Sequence, residues 1–138
     1  MRKQLLFFKV LAKSLICGLL LLSCTYADSM SDLVPYREFS VSVGPLKIPF
    51  KGKTNCDDQL IQDLLSHVKR YTNGLNNIKV VNPKFIYMGL PPIQDTTHKN
   101  YSIEEWTVQT NDNNIIKLKI ITATDLKEET DFSVLKIG

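Results

Sequence analysis

An α+β domain, one amphipathic helix packed on an antiparallel sheet of about four to six strands, is the architecture to expect from this chain. Two patterns carry that expectation. Leu60, Ile61, Leu64, Leu65, Val68 and Tyr71 recur at helical spacing and form one apolar stripe. On either side of them apolar and polar residues alternate, the period of half-buried strands. With 138 residues, 43% of them hydrophobic and 22% charged, the composition is that of a globular chain. The length suits one small domain and leaves no room for separate cofactor and substrate domains.

The first 27 residues stand apart. Arg2, Lys3, Lys9 and Lys13 precede an apolar core over 14–22, and no acidic residue occurs before Asp28. A basic start, a short apolar run and a small-residue exit are the layout of a secretory signal peptide. The uncharged run is shorter than the roughly 20 apolar residues a spanning helix needs. Two exits compete. Thr25-Tyr26-Ala27 offers cleavage before Asp28, whereas Leu21-Leu22-Ser23-Cys24 resembles a bacterial lipobox, with Cys24 as the lipidated new N-terminus. A mature chain would keep 13 basic and all 14 acidic residues, a net charge of −1. The overall charge of +3 therefore belongs to the leader, and the basic footprint of a nucleic-acid binder is missing. Export also leaves Cys56 without an internal disulfide partner, unless Cys24 survives unlipidated and bridges to it.

Residues 28–36 carry little apolar pattern and read as a tether, with 37–138 as the single domain. Phe39, Val41 and Val43 alternate with Ser40 and Ser42 as a strand. Gly44-Pro45 breaks it before Leu46, Ile48 and Phe50 resume. The helix is expected over 56–73. Asn55 is its cap, Asp57 and Asp58 lie in the first turn, Lys69 and Arg70 in the last, and Gly74 is the stop. A strand over 78–88 follows, interrupted by Asn82-Pro83, which suggests a sheet edge or a bulge. A loop runs over 89–100. Strands 101–110 and 115–122 flank the turn Asn111-Asp112-Asn113-Asn114, and a last strand covers 132–137. Trp106, Val108 and Thr110 share one face. If that face meets the helix, Trp106 packs near Leu64, Leu65 and Val68; if not, it is an exposed binding anchor.

The runs from Asn82 to Pro92, Glu105-Trp106-Thr107-Val108 and Phe132-Ser133-Val134 resemble small exported bacterial proteins of unassigned role, over roughly the C-terminal half. In those relatives the hairpin turn carries Cys-Gly. Here it is Asn111 to Asn114, so a disulfide from that turn to the helix start is not available. The resemblance implies export and the α+β fold, and it brings no activity with it.

Chemistry-bearing residues are few. Cys56 and His67 on one helix would stand about 16 Å apart, too far for a thiol dyad. His98 is the only other histidine that could approach Cys56, and burial is the commoner fate of a lone cysteine. Asp63 and His67 have i, i+4 spacing, but zinc wants three or four ligands. Glu104 and Glu105 point to opposite faces of a strand and cannot act as a carboxylate pair. No nucleophile elbow, Gly-rich phosphate loop or CxxC is present, and no cofactor is implied. The 89–100 loop carries Leu90, Pro91, Pro92 and Ile93, and a proline pair suits partner recognition, or simply a stiff connection.

The expectation is an exported bacterial protein, periplasmic, lipid-tethered to the outer membrane or secreted, that binds a protein partner in the envelope or host. Membrane contact would come only through Cys24. The opposing readings are a secreted hydrolase or metal-dependent enzyme using Cys56, Asp63 or His67, and a protein inhibitor presenting the Pro91-Pro92 loop.

Overall fold

The computed structural model describes residues 32–138. The expected signal peptide, Cys24 and the start of the expected 28–36 tether lie outside the described residues. The elements are β1 (Arg37–Val43), β2 (Leu46–Gly52), α1 (Asp58–Thr72), a 3-10 turn (Leu75–Asn77), β3 (Ile78–Gly89), β4 (His98–Thr110), β5 (Ile115–Asp125) and β6 (Thr130–Lys136). The six strands form one open sheet in the order β1-β2-β3-β4-β5-β6. Its ladders are antiparallel except between β2 and β3, which run parallel through the register Phe50↔Val81. Here α1 is the crossover that returns the chain to the end where it started, the connection a parallel pair requires.

The helix is shorter than expected at its start. Asp57, not Asn55, is the N-cap, and its carboxylate accepts the Leu60 N–H at 2.9 Å. Asn73 supplies the left-handed residue at the other end (φ 60, ψ 37), and the Gly74 N–H returns to the Lys69 carbonyl. Cys56 therefore precedes the helix, and Asn55 serves another purpose.

The expected break at Asn82-Pro83 does not occur. β3 runs unbroken through the middle of the sheet, with its bulges at Ile78/Val80 and Phe85/Tyr87 instead. Proline is tolerated because its carbonyl points toward β2, where it accepts the Lys53 N–H at 3.0 Å. The ring nitrogen faces the same way, so the ladder to β4 loses no donor. Asn82 reinforces this junction by donating its side-chain amide to the Lys51 carbonyl. β2 must come very close here, and a Cβ on Gly52 would lie 2.2 Å from the Pro83 oxygen.

One face of the sheet and the stripe of α1 enclose the core: Val41, Ile48, Phe50, Leu60, Ile61, Leu64, Leu65, Val68, Val81, Trp106, Val108, Leu118 and Ile120. Trp106 is fully buried, in edge contact with Phe50 (centroids 5.3 Å, 83°). A smaller cluster joins Val34 to Phe85 and Met88, with Leu33 packed against it. The C-terminal part of the expected tether is thus docked on the domain, because Val34 has an apolar seat.

Candidate functional site

Two polar constellations stand out, one sealed and one exposed. The sealed one centres on Glu104. Strand alternation puts it on the same face as Trp106 and Val108, looking into the core, and only 1% of it is exposed. Oε1 accepts the Trp106 Nε1–H at 3.0 Å. Oε2 accepts the Asn55 N–H at 2.8 Å and faces the Cys56 Sγ at 3.7 Å. The Thr54 hydroxyl is a further partner, and its oxygen also accepts the Cys56 N–H. Asn55 then reaches Met88 Sδ with its amide. Burial pushes the Glu104 carboxyl above the ordinary range, while Trp106, Asn55, Thr54 and Cys56 pull it back. One carboxyl thus fastens the 54–56 approach to the helix onto β4.

A thiol beside a carboxylate has the makings of a nucleophile and base. Here neither can meet a solute, since Cys56 is only 6% exposed and Glu104 less. The geometry is that of a structural fastening.

The exposed constellation lies at the N-terminal end of β4. Asp95 organises the 90–97 loop. Its Oδ1 accepts the N–H groups of Thr97 (2.9 Å) and His98 (3.1 Å) and the Thr97 hydroxyl, and its own N–H closes a turn onto the Pro92 carbonyl. His98 is gripped from both sides: Nδ1 lies 2.7 Å from Asp95 Oδ2, and Nε2 lies 2.7 Å from Asp131 Oδ2 on β6. Asp131 and Asp95, in that order, raise the His98 pKa by stabilising imidazolium. The Thr97 N–H, ahead of the other donors, holds Asp95 at about 2. On the far flank the Tyr87 hydroxyl donates to the Leu90 carbonyl at 3.0 Å.

Within this clasp the loop presents apolar side chains to water. Ile93 is 96% exposed and Leu90 73%, with Pro92 exposed and Pro91 half-buried between them. The expected binding residues Leu90, Pro91, Pro92 and Ile93 thus lie together on a surface loop fixed at both ends.

The other sequence candidates do not converge. Asp63 accepts from Gln59, while His67 contacts Arg70 through Nδ1 and lays its ring against Phe132. His98 has both ring nitrogens occupied and cannot serve Cys56. Among the described residues no cluster of three His, Cys, Asp or Glu could hold a metal. Asp95 and Asp131 sit on opposite sides of the His98 ring, so the three cannot meet at one ion. Among the described residues, too, no helix is long and apolar enough to cross a membrane.

Sequence reasoning missed both constellations. Glu104 was detectable, because the alternation that places Trp106 inward also turns the residue two before it inward. The Asp95–Thr97–His98 turn has the local signal of an Asx turn. Asp131 joins it only through the β5–β6 register. The chain matches no protein-family model, no curated protein and no solved structure.

Proposed function

We propose that this is an exported bacterial protein whose domain acts by binding a protein partner through the 90–93 loop, in the periplasm, at the outer membrane or outside the cell. The observation that carries this reading is the exposure of Ile93 and Leu90 on a clasped loop. An apolar tip in water is a cost unless something covers it. A tip already held by Asp95, His98 and Tyr87 loses little entropy on being covered. The leader-like first 27 residues and the resemblance to small exported bacterial proteins support the export half of the proposal. The sealing of Cys56 and the separate engagements of Asp63 and His67 count against the enzymatic alternative.

The test places a photo-crosslinking amino acid at Ile93, and in parallel at Ser40 on the exposed β1 edge, in cells expressing the full gene. A discrete adduct from position 93 that Leu90→Asp abolishes is expected. Identical adducts from both positions, or none from 93, would overturn the binding role. Intact mass of the isolated protein tests export separately. A start at Cys24 or Asp28 is expected, and a retained Met1 would refute it.

A further inference from the structure

The near-neutral charge of the domain conceals a separation. Residues directly opposite each other on antiparallel strands share a face. The registers Ser42↔Lys47, Glu38↔Lys51, Lys84↔Glu105↔Lys119 and Thr107↔Lys117 therefore put five lysines on the sheet face opposite α1. Glu38 and Glu105 share that region. Asp131 lies on the same face at a far corner, drawn to His98. None of the five lysines belongs to an ion pair among the described residues. Most of the remaining acid gathers at the loop end, where Asp95, Asp125, Glu128, Glu129 and Asp131 surround the clasp, and along α1 at Asp57, Asp58 and Asp63.

We infer that the lysine-bearing sheet face is a docking surface for an anionic lipid bilayer. Three features support this occupant. The surface is one face of an open sheet that carries no helix among the described residues, and its cations project from β2, β3 and β5 to that one side, with Glu105 between Lys84 and Lys119. The cations are all lysines, point charges suited to a diffuse negative surface, and both arginines of the domain, Arg37 and Arg70, belong to the helix side. Aliphatic side chains stand among them: Ile115 is 63% exposed and Leu135, next to Lys119 across the β5–β6 ladder, is 49% exposed. Lysine stems with exposed aliphatics fit a headgroup–acyl boundary, where a nucleic acid offers no apolar compartment. This inference does not depend on the loop having a partner.

The experiment is vesicle co-sedimentation with the protein as isolated from cells expressing the full gene. Vesicles of phosphatidylglycerol with phosphatidylcholine are compared with phosphatidylcholine alone, at low and at physiological salt. Two variants share the same N-terminus: one carries Lys84→Gln, Lys117→Gln and Lys119→Gln, the other Lys69→Gln, Lys99→Gln and Lys127→Gln. Binding to the anionic vesicles that weakens with salt, and falls at least tenfold in the first variant but less than twofold in the second, is expected. Equal loss in both variants, or none in the first, would overturn the assignment. So would tight binding to a single-stranded oligonucleotide that depends on the same three lysines while vesicles fail to bind. Should the triple variant not melt like the parent, the single change Lys119→Gln is used with the same criterion of selective loss.

Discussion

The indole N–H of Trp106 donates to Oε1 of Glu104, two residues back on the same face of the same strand, at 3.0 Å. The largest apolar side chain of the core thus carries its polar atom to the carboxyl buried beside it. Each makes the other's burial tolerable, since an unmatched indole N–H or carboxyl in this interior would be costly.

Glu104 should make stability fall as pH rises. Its folded pKa lies above the ordinary glutamate value, so the native state binds its proton more tightly than the unfolded chain. Stability from this group is full below the ordinary value of about 4.3 and is lost as pH climbs from there through the raised folded value. Urea titrations from pH 4 to 8 should show that slope, and Glu104→Gln should flatten it. Glu104→Ala strands the Asn55 and Trp106 donors, at about 1–3 kcal/mol each.

Trp106→Ala should cost about 3–5 kcal/mol, as large aromatic deletions in cores do. Blue-shifted native emission that iodide quenches poorly is the spectroscopic companion. Ready quenching would contradict the burial of the ring.

Gly52→Ala should destabilise by about 1–3 kcal/mol, the usual range for overpacking. The added methyl meets the Pro83 carbonyl oxygen and must part β2 from β3. A thermal melt unchanged by the substitution would show that the junction yields freely.

Cys56 should react with a thiol reagent only when the domain opens. Labelling should accelerate with urea in step with unfolding, and Cys56→Ser should leave partner binding intact. Rapid labelling of the native protein would reopen the case for a nucleophile.

The clasp should be strongest in mildly acidic solution. His98 has a raised pKa, so what it contributes is complete below its ordinary value of about 6.5 and is lost as pH rises through the raised folded value. Asp95 contributes above the ordinary aspartate range and is lost only as pH falls toward about 2. Amide exchange over 90–97 should therefore quicken, beyond its intrinsic base catalysis, as His98 deprotonates. His98→Phe should remove that extra step while leaving exchange in β5 alone.

Local pattern carried much of this fold. The 60–71 stripe, the alternation of 104–110 and the Asn-rich turn at 111–114 are short-range signals, and each matches an element of the structure. The helix start is ambiguous in the sequence because Asn55, Asp57 and Asp58 all have capping chemistry. What decided among them was the recruitment of the Asn55 N–H by Glu104, a contact 49 residues away. Pro83 is ambiguous for a related reason, since its effect depends on which neighbour its nitrogen faces. The exposed loop was visible as composition, with Leu90 to Ile93 flanking a proline pair. Its clasp was not, because Asp131 reaches His98 only once β5 and β6 have paired.

Because position across the sheet repeats position along the chain, a polypeptide emerging from its N-terminus can assemble as it appears. Each new strand of the β3–β6 meander meets a neighbour made just before it, and nothing must be threaded between strands already joined. One long closure remains, from Phe50 to Val81, and α1 spans it. The pace of folding should therefore follow how readily that helix forms and seats its apolar side, with the hairpins zipping quickly behind it.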